Sequence, residues 1–327
     1  MLILMMKQYT HAWLALMACK RLYDKRDSLS EKNKKTTDAL LQFLKQNNDG
    51  IVQGAWFPDS VIHDNSTGHI WQLRRPGSDE KGDSRSHALP LKSQVLDLVV
   101  GRDYDEEVVL EGGVLPDRCQ ALAYQTRDQL KIKREVAYRQ KNAGAAVIAT
   151  NNEIALGLFM LAHYVCDAHM PMHCDARKFR DSIHSDIEGY WENEIVQYYS
   201  LLTDSAQKKK RFELDSRGLP KLLPGKDISN SYLSAVLSEM ESRPFQVIFG
   251  ADNSNVWDYL VDVCFFSYLL SSKLLPHSIS NPMALSKNEY KTKYRQGWLD
   301  VTPAILSDAI DALARIWLYV WREYDKM

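Results

Sequence analysis

Two histidine–carboxylate pairs of identical spacing constrain this chain more than anything else in it. His163 stands four residues before Asp167, and His184 four before Glu188. His173 lies between the pairs, so five metal-type ligands fall within 26 residues. On an α-helix a separation of four puts both side chains on one face, one turn apart. Imidazole nitrogen and carboxylate oxygen are ligands that zinc accepts. A lone histidine on such a helix is usually a satisfied core residue, and a lone His/Asp pair is as readily a hydrogen-bonded pair. The repetition of the pair, joined by His173, points instead to a metal site with more than one ion, and clustered zinc ions are a device for cleaving phosphate esters. His169 has no carboxylate at helical spacing, which gives it a supporting or surface role.

The helix carrying the first pair is marked at both ends. Thr150 and Glu153 form a capping-box pattern, in which hydroxyl and carboxylate satisfy reciprocal amide donors. Ile154, Leu158, Leu161, Ala162 and Val165 then recur at helical spacing. Pro171 disfavours the α conformation in Met170 and limits how far the helix runs. His163 and Asp167 fall in its last two turns, with His173 just beyond.

The run His163-x3-Asp167-x5-His173, followed by His184-x3-Glu188, resembles the zinc-dependent phospholipase C family of bacteria, which shares its fold and site with the single-strand-specific zinc nucleases. Other pieces occur in the matching order: His11 after Thr10, Asp59 after Gly54 and Trp56, and His69 at the end of the segment that begins at Asp64. The matching motifs are scattered over residues 1–195. The resemblance implies an all-α, compact multi-helix domain with a trinuclear-type zinc site holding two to three Zn2+ ions. Asp59, His69, His163 and Asp167 would hold the first ion, and His173, His184 and Glu188 the second. His11 and Asp167 would hold the third together with the N-terminal amine and carbonyl, which here belong to Met1. Family members start at a Trp in that place, and this chain does not. The implied reaction is attack of water on phosphorus, with Asp59 orienting or deprotonating that water.

Three features lean toward the phospholipases. Glu188 stands where the nucleases usually carry Asp, the stretch between His173 and His184 is short and contains no glycine, and Asp64-Asn-Ser-Thr67 precedes His69. The expected activity is phospholipase C-type cleavage of phospholipid head groups. A single-strand-specific nuclease of the same fold, and a non-catalytic helical protein with structural zinc, are the alternatives. A further rival, a phosphohydrolase using His63-Asp64 as an adjacent ligand pair, would want that pair on a helix, and Asn65 to Gly68 follow at once. The expected partner is a phosphodiester, on a phospholipid surface or in single-stranded nucleic acid, with no obligate protein partner.

Composition sets broad bounds. The chain has 327 residues, a formal net charge of −1 and 45% hydrophobic residues, an ordinary soluble composition with no overall basic balance. Lys208, Lys209, Lys210 and Arg211 form the one dense charge run, a solvated loop or a phosphate-facing patch. The five cysteines are too few and scattered for a disulfide scaffold, and their number is odd. Cys166 and Cys174 flank the proposed ligands and are read as packing residues. No run of eighteen apolar residues occurs. The segment before Cys19 resembles a lipoprotein cleavage box only faintly, and cleavage there would discard His11. A cytoplasmic location is favoured on these grounds, with secretion or lipid attachment left open.

The dominant period is helical. Helices are expected over residues 9–23, 34–47, 121–139, 151–170, 182–202, 229–242, 256–275 and 302–324. Residues 54–69 should be an irregular segment delivering Asp59 and His69, and 74–89, with His87, an exposed loop. No strand alternation competes. The aromatic-rich last helix suits core packing, or a membrane surface. We therefore expect one domain over residues 1–327, with no C-terminal β-sandwich.

Overall fold

The computed structural model describes residues 8–48, 54–83, 94–99, 107–139, 148–203, 210–247 and 255–325. Over these the chain is all-α. Its helices are α1 (Gln8–Lys25), α2 (Glu31–Gln46), α3 (Gln94–Val99), α4 (Leu115–Arg139), α5 (Asn151–Ala168), α6 (Asp181–Tyr198), α7 (Tyr232–Ser242), α8 (Val256–Leu274), α9 (Lys287–Lys293), α10 (Arg295–Asp300) and α11 (Thr302–Asp325). Past residue 228 the described regular elements are all helical.

The last helix is the spine of the core. Between residues 304 and 321 every side chain but that of Tyr319 is buried, the pattern of a helix surrounded by protein. It packs against α1, α2, α3, α4, α5 and α7. Its large polar-tipped side chains find partners, as burial requires: the Trp317 indole N–H donates to the Leu158 carbonyl of α5 at 2.9 Å. The membrane-surface alternative for this helix is thus excluded by its surroundings. Among the described residues no helix is long and apolar enough to cross a membrane.

Charges buried beside α11 are neutralised in pairs. Arg21 of α1 reaches Asp311 Oδ1 with Nε at 2.6 Å and donates through Nη1 to the Met240 carbonyl. Arg315 donates to the other Asp311 oxygen. Arg243 donates to Asp308 Oδ1 at 2.8 Å, while Asp308 Oδ2 accepts from the Val95 amide at 2.9 Å. A buried ion is tolerated only with such company.

Local signals place the helix ends where tertiary contacts do not intervene. Helix α5 stops at Ala168, two residues short of the expected end, because Met170 before Pro171 is extended (φ −83°, ψ 109°). Helix α6 also ends early, at Tyr198. The chain beyond it takes hydrogen bonds from elsewhere: Ser200 N–H donates to Lys221 O at 2.9 Å, and Leu223 N–H to Tyr198 O at 2.8 Å. Two antiparallel ribbons correct the expectation of no strands. β1 (Trp71–Arg74) pairs with β2 (Val109–Gly113), and β3 (Leu201–Thr203) with β4 (Lys210–Phe212). Strands of three to five residues carry too little alternation to register in a sequence. Lys210 and Arg211 are exposed on β4; Lys208, Lys209 and His87 lie outside the described residues.

The ion cluster at α11 gives a stability test. Asp311→Ala strands the buried Arg21 guanidinium and should cost about 3–5 kcal/mol in urea unfolding. Removing the exposed Lys293–Glu289 pair of α9 should leave the urea midpoint unchanged within error.

Candidate metal centre

Five chain segments converge around one buried carboxylate. Helix α5 is fixed at its start by the Thr150–Glu153 capping box: Glu153 N–H donates to Thr150 Oγ1 at 3.2 Å and Thr150 N–H to Glu153 Oε2 at 2.6 Å. Its last two turns present His163 and Asp167. After Met170 a 3-10 turn, Pro171–His173, folds His173 back toward the helix end. Strand β1 braces that turn from outside, with Leu73 N–H donating to Cys174 O at 2.9 Å and Ala176 N–H to Leu73 O at 3.0 Å. Helix α6 carries His184 and Glu188, and α1 carries His11 in its first turns.

Residues 54–69 bring Asp59 and His69 as a π-turn (Pro58–Ile62) followed by a 3-10 turn (Ser66–His69). Gly54 permits the close approach of this segment to α5, since a Cβ there would stand 2.3 Å from Phe159 Cβ. That approach places the Ala55 carbonyl 2.9 Å from His163 Nδ1. Nδ1–H donates to it, which fixes the tautomer and leaves Nε2 facing the centre.

The ligand-type atoms form three groups. His11, His163 and Asp167 make one, Asp59, His69 and His163 a second, and His173, His184 and Glu188 a third, with the atoms of each group within 4.8 Å of one another. His163 Nε2 lies 3.2 Å from His69 Nδ1, 3.4 Å from Asp167 Oδ2 and 3.5 Å from Asp59 Oδ1. Two ligands on a tetrahedral zinc at its usual bond lengths stand about 3.3 Å apart, so these separations suit a shared ion. His69 Nδ1 and Asp167 Oδ2 are closer, at 2.8 Å, and would open by roughly half an ångström around an ion. His173 Nε2 meets His184 Nε2 at 3.0 Å, and His184 Nε2 meets Glu188 Oε1 at 2.8 Å. Asp167 faces all three groups, for its other oxygen lies 3.5 Å from His173 Nδ1 and 4.0 Å from His11 Nε2.

The electrostatics are those of a centre built for cations. Burial alone would raise the Asp167 carboxyl, but His163, His173 and His69 hold it well below the usual range. Burial likewise opposes ionisation of Asp59, and the hydrogen bond and charge of His163 outweigh it. His163 itself would be lowered by burial, yet Asp167, Asp59 and the Ala55 carbonyl lift it to about 9. His184 is raised because Glu188 overcomes burial. His11 drops to about 3, through burial and then the charge of His163. Burial, opposed by Asp167 and reinforced by His184, takes His173 to about 4. Both nitrogens of His11, Asp59 Oδ2, Asp167 Oδ1 and His173 Nδ1 are buried without any hydrogen-bond partner. Buried polar atoms rarely stay unpaired. These unpaired atoms are imidazole nitrogens and carboxylate oxygens of the three groups, a donor set that fits zinc.

Eight of the nine residues expected as ligands therefore come together: His11, Asp59, His69, His163, Asp167, His173, His184 and Glu188. Met1 lies outside the described residues. The resemblance implies Asp167 as the link between the first and third sites; the geometry places His163 in both groups as well, its ring stacked on that of His11 at 4.1 Å. His169 is buried rather than at the surface, its Nδ1–H donated to Val165 O at 2.8 Å. His63 is exposed at φ 48°, and the Asp64 carboxylate accepts from Tyr164 and Arg118, so the adjacent-pair reading finds no metal site there. All five cysteines are free and buried.

Sequence reasoning missed two supports. The Ala55 carbonyl leaves no side-chain signal. Glu192, one turn beyond Glu188, accepts from Thr10 N–H at 2.9 Å and Thr10 Oγ1 at 3.1 Å. It thereby holds the first turn of α1, where a carboxylate also suits the helix dipole. The continuation of the i, i+4 series from His184 to Glu188 to Glu192 was the available hint.

No protein-family model matches the chain, and no curated protein does. Among solved structures the chain is similar to Clostridium perfringens alpha-toxin isolated from an avian strain, at 16% sequence identity and a TM-score of 0.46, with 97% of this chain and 64% of that chain covered. The chain thus spans less than two thirds of that protein's length. So loose an overlap adds nothing to the reading of the centre, which rests on its own geometry.

Metal binding should release protons. Below pH 9 His163 is protonated in the metal-free protein, and zinc must displace that proton. Apparent zinc affinity should fall about tenfold per pH unit and per displaced proton as pH drops from 9 toward 6, and level off above 9. Calorimetric titration at pH 7 in two buffers of different ionisation enthalpy should find about one proton released, from His163. No release would contradict the placement of His163. His173→Ala should lower bound zinc, whereas His169→Ala should cost stability and leave zinc content intact.

Proposed function

We propose that this protein is a zinc-dependent phosphodiesterase holding two to three zinc ions, and that its reaction is phospholipase C-type hydrolysis of phospholipid head groups. The observation that carries the first part is the convergence of three His/carboxylate groups on Asp167, with five ligand-type atoms left unpaired. Zinc bound there would supply Lewis acidity toward phosphoryl oxygens and lower the pKa of bound water. The second part is supported by Glu188 and by the glycine-free link between His173 and His184. In the overall reaction water adds at phosphorus, releasing diacylglycerol and a phosphorylated head group.

The chain's own residues divide the work by exposure. The Asp167 side chain is 0% exposed and that of Glu188 5%, so both serve to hold ions. Asp59 is 18% exposed and ionised, so of the three carboxylates it is the one able to meet an incoming water, while its buried, unpartnered Oδ2 is placed to face an ion. It orients that water or takes its proton. His69, at 13%, opens on the same side. This opening argues against purely structural zinc, whose sites are closed by four protein ligands.

Metal analysis of the purified protein should find about two to three zinc ions per chain. Full activity in chelator, with no metal bound, would overturn the proposal. Asp59→Asn keeps size and removes the charge, and turnover should fall about 100-fold or more. Glu188→Gln should act mainly through zinc affinity, so excess zinc should partly restore it. Phospholipid vesicles should be cleaved and single-stranded DNA or RNA left intact; the reverse pattern would assign the centre to a nuclease.

A further inference from the structure

Asp64 lies between Asp59 and His69 in the chain but belongs to none of the three ligand groups. It holds a separate assembly. Its Oδ2 accepts from the Tyr164 hydroxyl at 2.5 Å and lies 3.1 Å from Arg118 Nε, while Oδ1 accepts from the Asn65 amide at 2.9 Å. Gly68 leaves room for it, because a Cβ there would come within 2.9 Å of Oδ2. The Tyr164 ring stands 5.2 Å from the His69 ring and 5.4 Å from that of His163. The same ring carries the Arg118 guanidinium, with Cζ 5.4 Å from its centroid. One aromatic ring thus separates Arg118 from the metal-type histidines.

Arg118 is fixed through Nε, which also donates to Tyr164 Oη at 3.3 Å. Its two Nη groups make no further hydrogen bond among the described residues, and the side chain is 34% exposed. A guanidinium anchored at one end, with its fork open, is suited to an anionic oxygen. A quaternary ammonium group seeks an aromatic face and a carboxylate. In this corner both are already taken by Arg118, whose charge would repel it.

The surroundings indicate the kind of molecule that brings the anion. Val61, Ile62 and Val114 are 54%, 43% and 47% exposed, among the few large apolar side chains so open in the described residues. Val61 and Ile62 precede His63 and Asp64. Val114 N–H donates to Thr67 O at 2.8 Å, and Val114 O accepts from Arg118 N–H at 2.9 Å. Exposed apolar side chains on the two segments that carry Asp64 and Arg118, together with the free Nη groups of the anchored guanidinium, match a membrane surface of negative charge, into which apolar groups dip while basic ones meet phosphates. A polynucleotide would ask for a basic groove with stacking aromatics.

We infer that Arg118 determines the specificity of this centre: it takes a phosphate oxygen at a lipid surface on which Val61, Ile62 and Val114 rest, so that the preferred substrate is an anionic phospholipid without a quaternary ammonium group. The inference rests on the phosphodiesterase reading above.

The test compares the zinc-loaded protein on phosphatidylglycerol vesicles, phosphatidylcholine vesicles, a single-stranded oligonucleotide and the soluble diester bis(4-nitrophenyl) phosphate. The wild type should favour phosphatidylglycerol over phosphatidylcholine by about tenfold or more in kcat/KM. Arg118→Ala should lower kcat/KM on phosphatidylglycerol by about 10- to 100-fold, mainly through KM, and bring the ratio of the two lipids toward one. Arg118→Gln serves where the alanine variant folds poorly, and zinc content and thermal midpoint check both. Vesicle sedimentation without turnover should show salt-sensitive binding to phosphatidylglycerol that Arg118→Ala weakens, as should serine at Val61 and Ile62 together. Preference for phosphatidylcholine, an unchanged lipid ratio in a well-folded Arg118 variant, or cleavage of the oligonucleotide alone would overturn the inference and leave a phosphodiesterase. Failure of the zinc-loaded wild type to hydrolyse even bis(4-nitrophenyl) phosphate would strike the underlying reading, and this inference with it.

Discussion

The Asp167 carboxylate is wholly buried, and much of the fold is arranged to make that tolerable. Burying one ion without compensation costs several kcal/mol even after relaxation. The compensation around Asp167 comes from four imidazoles on four separate segments: His11 from α1, His69 from the turn before β1, His163 from α5 itself, and His173 from the turn after Pro171. Of these only His69 hydrogen-bonds to the carboxylate, at 2.8 Å; Asp167 Oδ1, both His11 nitrogens and His173 Nδ1 have no hydrogen-bond partner, so a bound cation would complete the compensation. Elements that look peripheral acquire a purpose on this account. Glu192 holds the start of α1, strand β1 braces the His173 turn, and Gly54 lets the Ala55 carbonyl reach His163.

A second clasp keeps the His173 limb in place from behind. Asp175 is buried and accepts from Ser271 Oγ of α8 at 2.7 Å. Arg177 grips the same carboxylate with Nη2 at 2.6 Å and donates through Nη1 to the carbonyls of Leu275 and Pro276 at 2.8 and 3.0 Å. The chain leaving the centre is therefore tied to α8 through Ser271 and to the segment just past α8 through Arg177, whose pairing with Asp175 stiffens the limb itself. A centre of this kind needs its ligands held to within a fraction of an ångström.

What could be read in the sequence follows the range of each interaction. Helix α5 was legible at both ends because its signals are local: the Thr150–Glu153 box and Pro171 act within four residues of the boundary. The His163–Asp167 and His184–Glu188 pairs were legible for the same reason, since helical spacing turns sequence distance directly into proximity. His11 has no ligand-type partner at helical spacing, and Asp59 and His69 share a segment expected to be irregular, where helical spacing does not apply; only a resemblance to a known arrangement named all three. Arg118 and the Ala55 carbonyl left no signal, because their partners Asp64 and His163 are distant in the chain, and Glu192 left only its place in the i, i+4 series after Glu188. Helices α3, α9 and α10 were missed for a different reason: six or seven residues make fewer than two turns, too short for a period to declare itself. The last helix was recognised as a helix, but which way its aromatic faces turned depended on the six helices that cover it.

The distribution of exposure gives the centre a direction. The core closes it on the side of α1 and α5, where His11, His163 and Asp167 are fully buried. It opens where Asp59 and His69 remain partly exposed, beside the Asp64–Tyr164–Arg118 assembly. His184, at 29%, is the other partly exposed member, at the edge of the third group. In the proposed reaction Asp59 and His69 would form the face that water and a diester reach, while the face of His11, His163 and Asp167 stays dry, where each charge interaction is stronger than it would be in solvent. The segment 54–69 supplies both boundary residues and also Asp64, so one short irregular stretch sets the chemistry at the mouth of the centre and the charge of the surface around it.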